Sequence, residues 1–182
     1  MFQEHIKHLE IVLQRIQQMG LPIKPSKCKF AQSQVQYLGH IVGQGCRRPS
    51  ELKIEAVKNL PTPRSKTDIR TFLGLEGYYS HYIPMFSTIA APLTDALKGK
   101  CRKGVVYWTE DCENAFNSLK QALASKPVLH CPDYNPQFIL QKDASDNGIG
   151  VVLSKVTEDD KEHPIVYLSR ILSDVEKRYC VS

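Results

Sequence analysis

Pro61 and Pro63 interrupt a stretch that otherwise reads as helix, and they limit more than any other feature what this chain can become. Proline lacks an amide hydrogen and its ring collides with the preceding turn, so one continuous helix through "KIEAVKNLPTPRSKTDIRTFLGLEGYYSHYIP" is excluded. The stretch must fold as separate short helices. Ser50 is placed to cap the first, which ends near Leu60. A second is expected from Ser65 or Lys66 to about Tyr82, carrying Ile69, Phe72, Leu73, Leu75, Tyr78, Tyr79 and Tyr82. A third spans about Ser87 to Leu97, with a break or restart at Pro92.

Strand signals flank this helical middle. Near the start, Ile6, Leu9, Val12, Leu13, Ile16 and Met19 recur at three- and four-residue steps, the spacing of an amphipathic helix that Gly20 and Pro22 then stop. A short strand is expected at residues 27–31. "VQYLGHIVGQG" reads as a strand, a kink at Gly39, a second strand and a glycine turn. After the basic loop at residues 98–104, a boundary by composition, come a short strand and a helix capped by Thr109. Glu110 and Asp111 in its first turn favour the helix dipole, a structural task. Strands are expected at 137–143, 149–155 and 164–169. The Asp146-Asn147-Gly148 turn joins the first two, and the acidic segment 158–162 reads as a solvated turn. The fold class is therefore mixed, α+β.

Composition bounds the function classes. The chain is 42% apolar and 24% charged, which is globular rather than disordered. It has no run of 18 apolar residues and no signal-peptide pattern, so the expected setting is intracellular, cytoplasmic or nuclear, with no membrane partner. The six cysteines (Cys28, Cys46, Cys101, Cys112, Cys131 and Cys180) lack paired spacing and read as reduced thiols. His5 and His8 share a helix face but no third ligand is near, so they read as surface residues. Charge is uneven: residues 1–105 hold sixteen basic against seven acidic side chains, and the remainder eight against twelve. A basic front half suits an anionic partner such as nucleic acid, or is simply a solvated surface.

Asp143 ends the apolar run "FILQKDASDNGIGVVLS" just before a turn. No Ser/His or Cys/His pair is spaced for nucleophilic catalysis, so a chemical role for this carboxylate means binding a divalent cation. Hydrolysis by two metals needs several convergent carboxylates. Asp146 lies in the turn, where the hairpin needs it. Spacing alone leaves Asp143 open between function and structure.

The motifs taken together resemble a known family. "HIKHLEIVLQRIQQMGLPIKPSKCKF", "VQYLGHIV", "KIEAVKNLPTPRSKTDIRTFLGLEGYYSHYIPMFSTIAAPL", "WTEDCENAFNSLKQAL", "KPVLHCPDYNPQFILQKDAS" and "HPIVYLSR" are similar, in order and nearly without gaps, to the reverse transcriptase–ribonuclease H region of gypsy-type LTR retroelement polyproteins. The resemblance implies that residues 1–48 are the end of a polymerase palm and 49–98 a helical thumb. Residues 99–136 would be a connection, and 137–182 the first strands of a ribonuclease H-like domain. Tyr37, Leu38, Gly39 and His40 match the primer-grip hairpin. Lys53, Lys58, Arg64, Lys66 and Arg70 are the candidate phosphate contacts of the thumb. Tyr79 is placed near the duplex, with Tyr78 and Tyr82 (i,i+4) in the core and Trp108 as a packing anchor between lobes.

Asp143 matches the first metal-binding carboxylate of ribonuclease H, which implies Mg²⁺ and an RNA–DNA hybrid or duplex as partner. The implied parent activities are RNA-directed DNA synthesis and hydrolysis of RNA in hybrids. The polymerase aspartate pair is expected before His5, outside this chain, and the later ribonuclease H carboxylates after Ser182. The chain alone is thus expected to be inactive. The family usually has Thr where this chain has Lys142, and basic residues where it has Ser80 and His81. Lys142 is expected to compete with a cation for Asp143. Two further readings are a non-catalytic nucleic-acid-binding remnant and an unstable pseudogene product with exposed apolar edges.

Overall fold

A computed structural model describes residues 2–98, 106–135, 137–157 and 160–178. The basic loop beyond Lys98, Cys101, Cys180, Glu158 and Asp159 lie outside the described residues. By contact the chain forms two units, residues 1–32 and 33–182.

The first unit is helix α1 (Phe2–Gln18), then a single 3₁₀ turn at Pro25–Lys27. Gly20 takes φ +65°, the left-handed conformation that ends a helix, as its position required. The strand expected at 27–31 does not form: Lys27 closes the 3₁₀ turn that Pro25 opens, and residues 28–31 have no regular structure. None of the described residues of this unit is buried, and Ile11, Val12 and Met19 are exposed.

The second unit opens with a meander: β1 (Gln34–Tyr37), β2 (His40–Gly43) and β3 (Cys46–Pro49), all antiparallel. What reads in sequence as a kink at Gly39 is a complete two-residue turn of Leu38 and Gly39. Both have positive φ, +46° and +80°. Four short helices follow: α2 (Glu51–Lys58), α3 (Lys66–Tyr78), α4 (Phe86–Ile89) and α5 (Ala91–Leu97), with a 3₁₀ turn at Ser80–Tyr82 after α3. The restart near Pro92 occurs as expected, with the proline in the first turn of α5, where no amide is needed. Ser65 caps α3 through a reciprocal box with Asp68. Ser50 holds the cap position of α2, but its hydroxyl makes no capping bond and is buried without a partner among the described residues.

Residues 106–108 are not a strand. The chain passes through them into α6 (Glu110–Ala124), where the Thr109 hydroxyl accepts the amide of Cys112. Trp108 anchors the start of this same helix. Its indole donates to Glu113 at 2.6 Å and its ring meets Phe116 edge-on. The chain then returns to the first sheet as β4 (Leu129–His130), which pairs with β3. The second sheet is β5 (Phe138–Ala144), β6 (Gly148–Val156) and β7 (Glu162–Ile171), in that order and antiparallel.

The core lies among the helices: Ile54 and Val57 of α2, Ile69 and Phe72 of α3, Leu93 of α5, Phe116, Leu119 and Leu123 of α6, closed by Leu129. Phe72 and Phe116 meet at 4.6 Å between ring centres. The second sheet docks through β7. Ser87 donates its amide to the Ser169 hydroxyl (2.8 Å) and its own hydroxyl to the Ser169 carbonyl (2.9 Å). His130 stacks on His163 with 4.1 Å between centres. Leu140 and Leu168 remain exposed on this sheet. Among the described residues no helix is long and apolar enough to cross a membrane.

Candidate nucleic-acid interface

The Leu38-Gly39 turn projects from the first sheet, with Tyr37 63% and Leu38 66% exposed. Three consecutive residues of this hairpin are each held by a different tyrosine. Tyr78 donates its hydroxyl to the Leu38 carbonyl at 2.6 Å. Tyr79 donates to the Gly39 carbonyl at 3.2 Å, and that carbonyl also accepts the Ser50 amide at 2.9 Å. Tyr82 shares a hydrogen bond with His40 Nδ1 at 3.0 Å. The imidazole of His40 is stacked on Tyr78 and on Tyr82 at 5.2 and 5.6 Å, within 23° of parallel to each. Gly39 is obligatory here, because a side chain would begin 2.8 Å from the Tyr79 hydroxyl.

Burial and charge tune this cluster. Arg47 reaches across from β3, with its guanidinium 5.7 Å from the Tyr82 ring centre and donating to the Ile165 carbonyl. Burial lowers the His40 pKa, helped by the Arg47 charge, so the imidazole stays neutral at physiological pH. Burial pushes Tyr82 up to about 12 and also raises Tyr79, keeping both phenols protonated as donors.

The aromatic assignment differs from the expectation. Tyr79 is 1% exposed and Tyr78 is 49% exposed, the reverse of the i,i+4 reading. The cause is the end of α3 at Tyr78. The following residues wind as a 3₁₀ turn, whose three-residue repeat puts Tyr79 and Tyr82 on the same inward side. Tyr78 is therefore the outward ring, and Tyr79 works from beneath the hairpin.

An open groove of about 490 Å³ lies between the hairpin and the helices, lined by Leu38, Gly39, Lys53, Gly74, Leu75, Tyr78 and Tyr79. Of the basic candidates, only Lys53 lines it. Lys58, Arg64 and Arg70 are exposed but outside the groove. Arg70, Gly74 and Tyr78 recur every four residues along one exposed stripe of α3. A side chain at Gly74 or Gly77 would meet nothing within 4 Å, so the helix surface there is bare. Lys66 is committed elsewhere: its ammonium is half-buried and donates to the Leu97 carbonyl at 3.1 Å, capping α5. The sequence left Tyr78 and Arg47 out of the site. The one available signal was the turn itself, since Leu-Gly is a poor turn pair without outside support.

Asp143 lies on β5 directly opposite Gly150, exposed, beside a small pocket of about 200 Å³ that Pro84, Met85 and Tyr167 also line. Lys142 precedes it on β5, where alternate side chains point to opposite faces, and lines the same pocket. Among the described residues no three His, Cys, Asp or Glu side chains cluster as metal ligands. One carboxylate facing a glycine does not supply the donor set that a pair of Mg²⁺ ions requires, so the residues present do not fit a two-metal centre.

Residues 2–42 match the family described as reverse transcriptase (RNA-dependent DNA polymerase), and residues 108–182 match the RNase H-like domain found in reverse transcriptase. The Tf2-3 and Tf2-4 transposon polyproteins of Schizosaccharomyces pombe are each 36% identical over 179 residues, which is 98% of this chain. The chain belongs to the reverse transcriptase–ribonuclease H region of gypsy-type retrotransposon polyproteins. It spans 13% of the length of those polyproteins. The fold agrees with a foamy viral protease–reverse transcriptase solved in complex with an RNA/DNA hybrid. Their TM-score is 0.81 at 21% identity, over 99% of this chain and 24% of that one. A dsDNA complex of the viral protein gives 0.79 at 21% identity, over 97% of this chain and 36% of that one.

Proposed function

We propose that this region of the polyprotein holds a nucleic-acid duplex, with an RNA–DNA hybrid as the parent substrate. The observation that carries this reading is the exposed Tyr37-Leu38 tip, braced by tyrosines on a helix whose outer stripe offers Arg70, bare backbone at Gly74 and the ring of Tyr78. Bare backbone lets a sugar–phosphate chain approach closely, while Arg70 and Lys53 supply charge for phosphates and the Tyr78 ring offers a flat contact. Lys58 and Arg64 extend the positive surface on the same helical section. Such contacts position a duplex without reading its sequence.

The parent polyprotein is read as carrying out RNA-directed DNA synthesis and cleavage of RNA in hybrids with Mg²⁺. In that reading the residues described here contribute grip and alignment. The divalent ions would be held by carboxylates of the parent that do not cluster here, with Asp143 as at most one of them.

The test is fluorescence anisotropy with a labelled RNA–DNA hybrid and the purified chain, over about 25 to 200 mM salt. Salt-sensitive binding that tolerates changes of sequence is the expected result. Absence of binding at the lowest salt overturns the proposal.

A further inference from the structure

The Leu38-Gly39 turn is costly as built. A two-residue hairpin turn with positive φ at both positions suits Asn-Gly or Gly-Gly, because a side chain at the first position crowds the backbone. Leu38 has φ +46° and no amide or carbonyl in its side chain to compensate, so its Cβ crowds the following carbonyl unrelieved. Its side chain is 66% exposed, so packing does not offset that cost. Its carbonyl instead receives the shortest of the three tyrosine bonds, from Tyr78.

We propose that the Tyr78 hydroxyl is a latch that holds Leu38 in its left-handed conformation and so makes the hairpin tip move as one piece with α3. Tyr78 is then a positioning residue, and what it positions is the exposed Leu38 side chain. A bulky apolar residue kept in a strained, solvent-facing conformation by an external bond marks a contact point set in advance of its ligand. The role of that contact in holding nucleic acid rests on the function proposed above, but the latch itself does not.

Three features support a latch over an incidental bond. The bond joins residues 40 positions apart, so it ties the sheet to α3 rather than one turn to the next. The Tyr78 ring is fixed by stacking on His40 at 5.2 Å, so the hydroxyl is delivered in one orientation. Tyr79, next in the chain, holds the next carbonyl of the same turn.

The experiment is a double-mutant cycle on the full chain, read by amide hydrogen exchange in β1 and β2. Tyr78→Phe keeps the ring and removes only the hydroxyl; it is expected to speed exchange of the hairpin amides about fivefold. Leu38→Asn suits the left-handed conformation and is expected to slow exchange when made alone. In the Leu38→Asn background, Tyr78→Phe is expected to change exchange by less than about twofold, since little strain is left to restrain. Equal, additive effects of Tyr78→Phe in both backgrounds overturn the latch and leave an ordinary structural bond. Gln44→Asn, in the neighbouring Gln44-Gly45 turn (φ +53° and +71°), serves as a control whose effect is independent of Tyr78.

Hybrid affinity of the same variants separates the two proposals. Coupled exchange with a loss of affinity in Tyr78→Phe, and a loss in Leu38→Asn that adding Tyr78→Phe does not deepen, supports both. Coupled exchange with unchanged affinity supports the latch and overturns the nucleic-acid role of the tip.

Discussion

The sulfur of Met85 occupies the place where a side chain on Gly150 would begin. Met85 itself has φ +52° at the start of α4, and Gly150 faces Asp143 across the β5–β6 ladder. The second sheet is therefore fitted to the helices at a glycine, next to its most suggestive carboxylate. Gly148 is tighter in kind: its absent side chain would meet the Thr88 hydroxyl at 2.8 Å and the Arg170 backbone carbonyl at 2.9 Å. Gly148→Ala is expected to cost about 1–3 kcal/mol in urea unfolding, because a backbone carbonyl must move. Gly150→Ala is expected to cost less, since the thioether can swing aside, and Met85→Ala should suppress it. Equal losses at the two glycines would contradict this ranking.

Glu76 predicts how stability responds to pH. It is fully buried on α3, and neither carboxylate oxygen has a partner among the described residues. Burial raises its pKa to about 8, with Lys120 pulling weakly in the other direction. The ammonium of Lys120 is engaged with the Leu60 carbonyl at 2.8 Å and lies over the Phe116 ring. The folded chain thus holds a proton that the unfolded chain releases above its ordinary value of 4.5. Its contribution to stability is full below about pH 4.5 and is lost as pH rises towards about 8, on the order of 5 kcal/mol in total. Glu76→Met is expected to flatten that slope and to raise the melting temperature at pH 8. Denaturation curves between about pH 5 and 8.5 decide it.

Two basic residues four positions apart on α3 should behave differently. Arg70→Gln is expected to weaken hybrid binding and to lower the log–log salt slope by about 0.9, the release of one counterion. Lys66→Met is expected to leave that slope unchanged and to cost about 1 kcal/mol of stability, because the Leu97 carbonyl loses its donor. A reduced slope for Lys66→Met would return it to the phosphate contacts.

With Mg²⁺ and a labelled hybrid, the chain is expected to give no cleavage that depends on Asp143. The comparison is product formation by the parent chain and by Asp143→Ala at equal concentration. Cleavage lost on substitution would mean that Asp143 completes a metal site with groups beyond those described.

How much of this was legible in the sequence depended on how far apart the deciding residues lie. Proline breaks, the cap at Thr109 and the hairpin around Asn147 are local, and their positions follow from a few neighbouring residues. β3 was missed because "CRRP" has neither alternation nor apolar content, and β4 because it has two residues. Their pairing is made by segments more than seventy residues apart, which no local pattern encodes. The tyrosines show the same limit at the site. Counting by four fails once the helix tightens to three residues per turn, and the target of Tyr78 is a carbonyl on a distant turn. Lys66 read as a phosphate contact because its charge is visible in sequence, whereas the carbonyl it caps is visible only in the fold.

The β3–β4 pairing has one more consequence. Arg47 stands opposite Leu129, and paired Cα atoms in an antiparallel ladder lie about 5 Å apart. The helical section between them therefore leaves and re-enters the sheet at a single doorway. A segment with neighbouring ends imposes no span of its own: its length can vary without stretching the two strands that frame it.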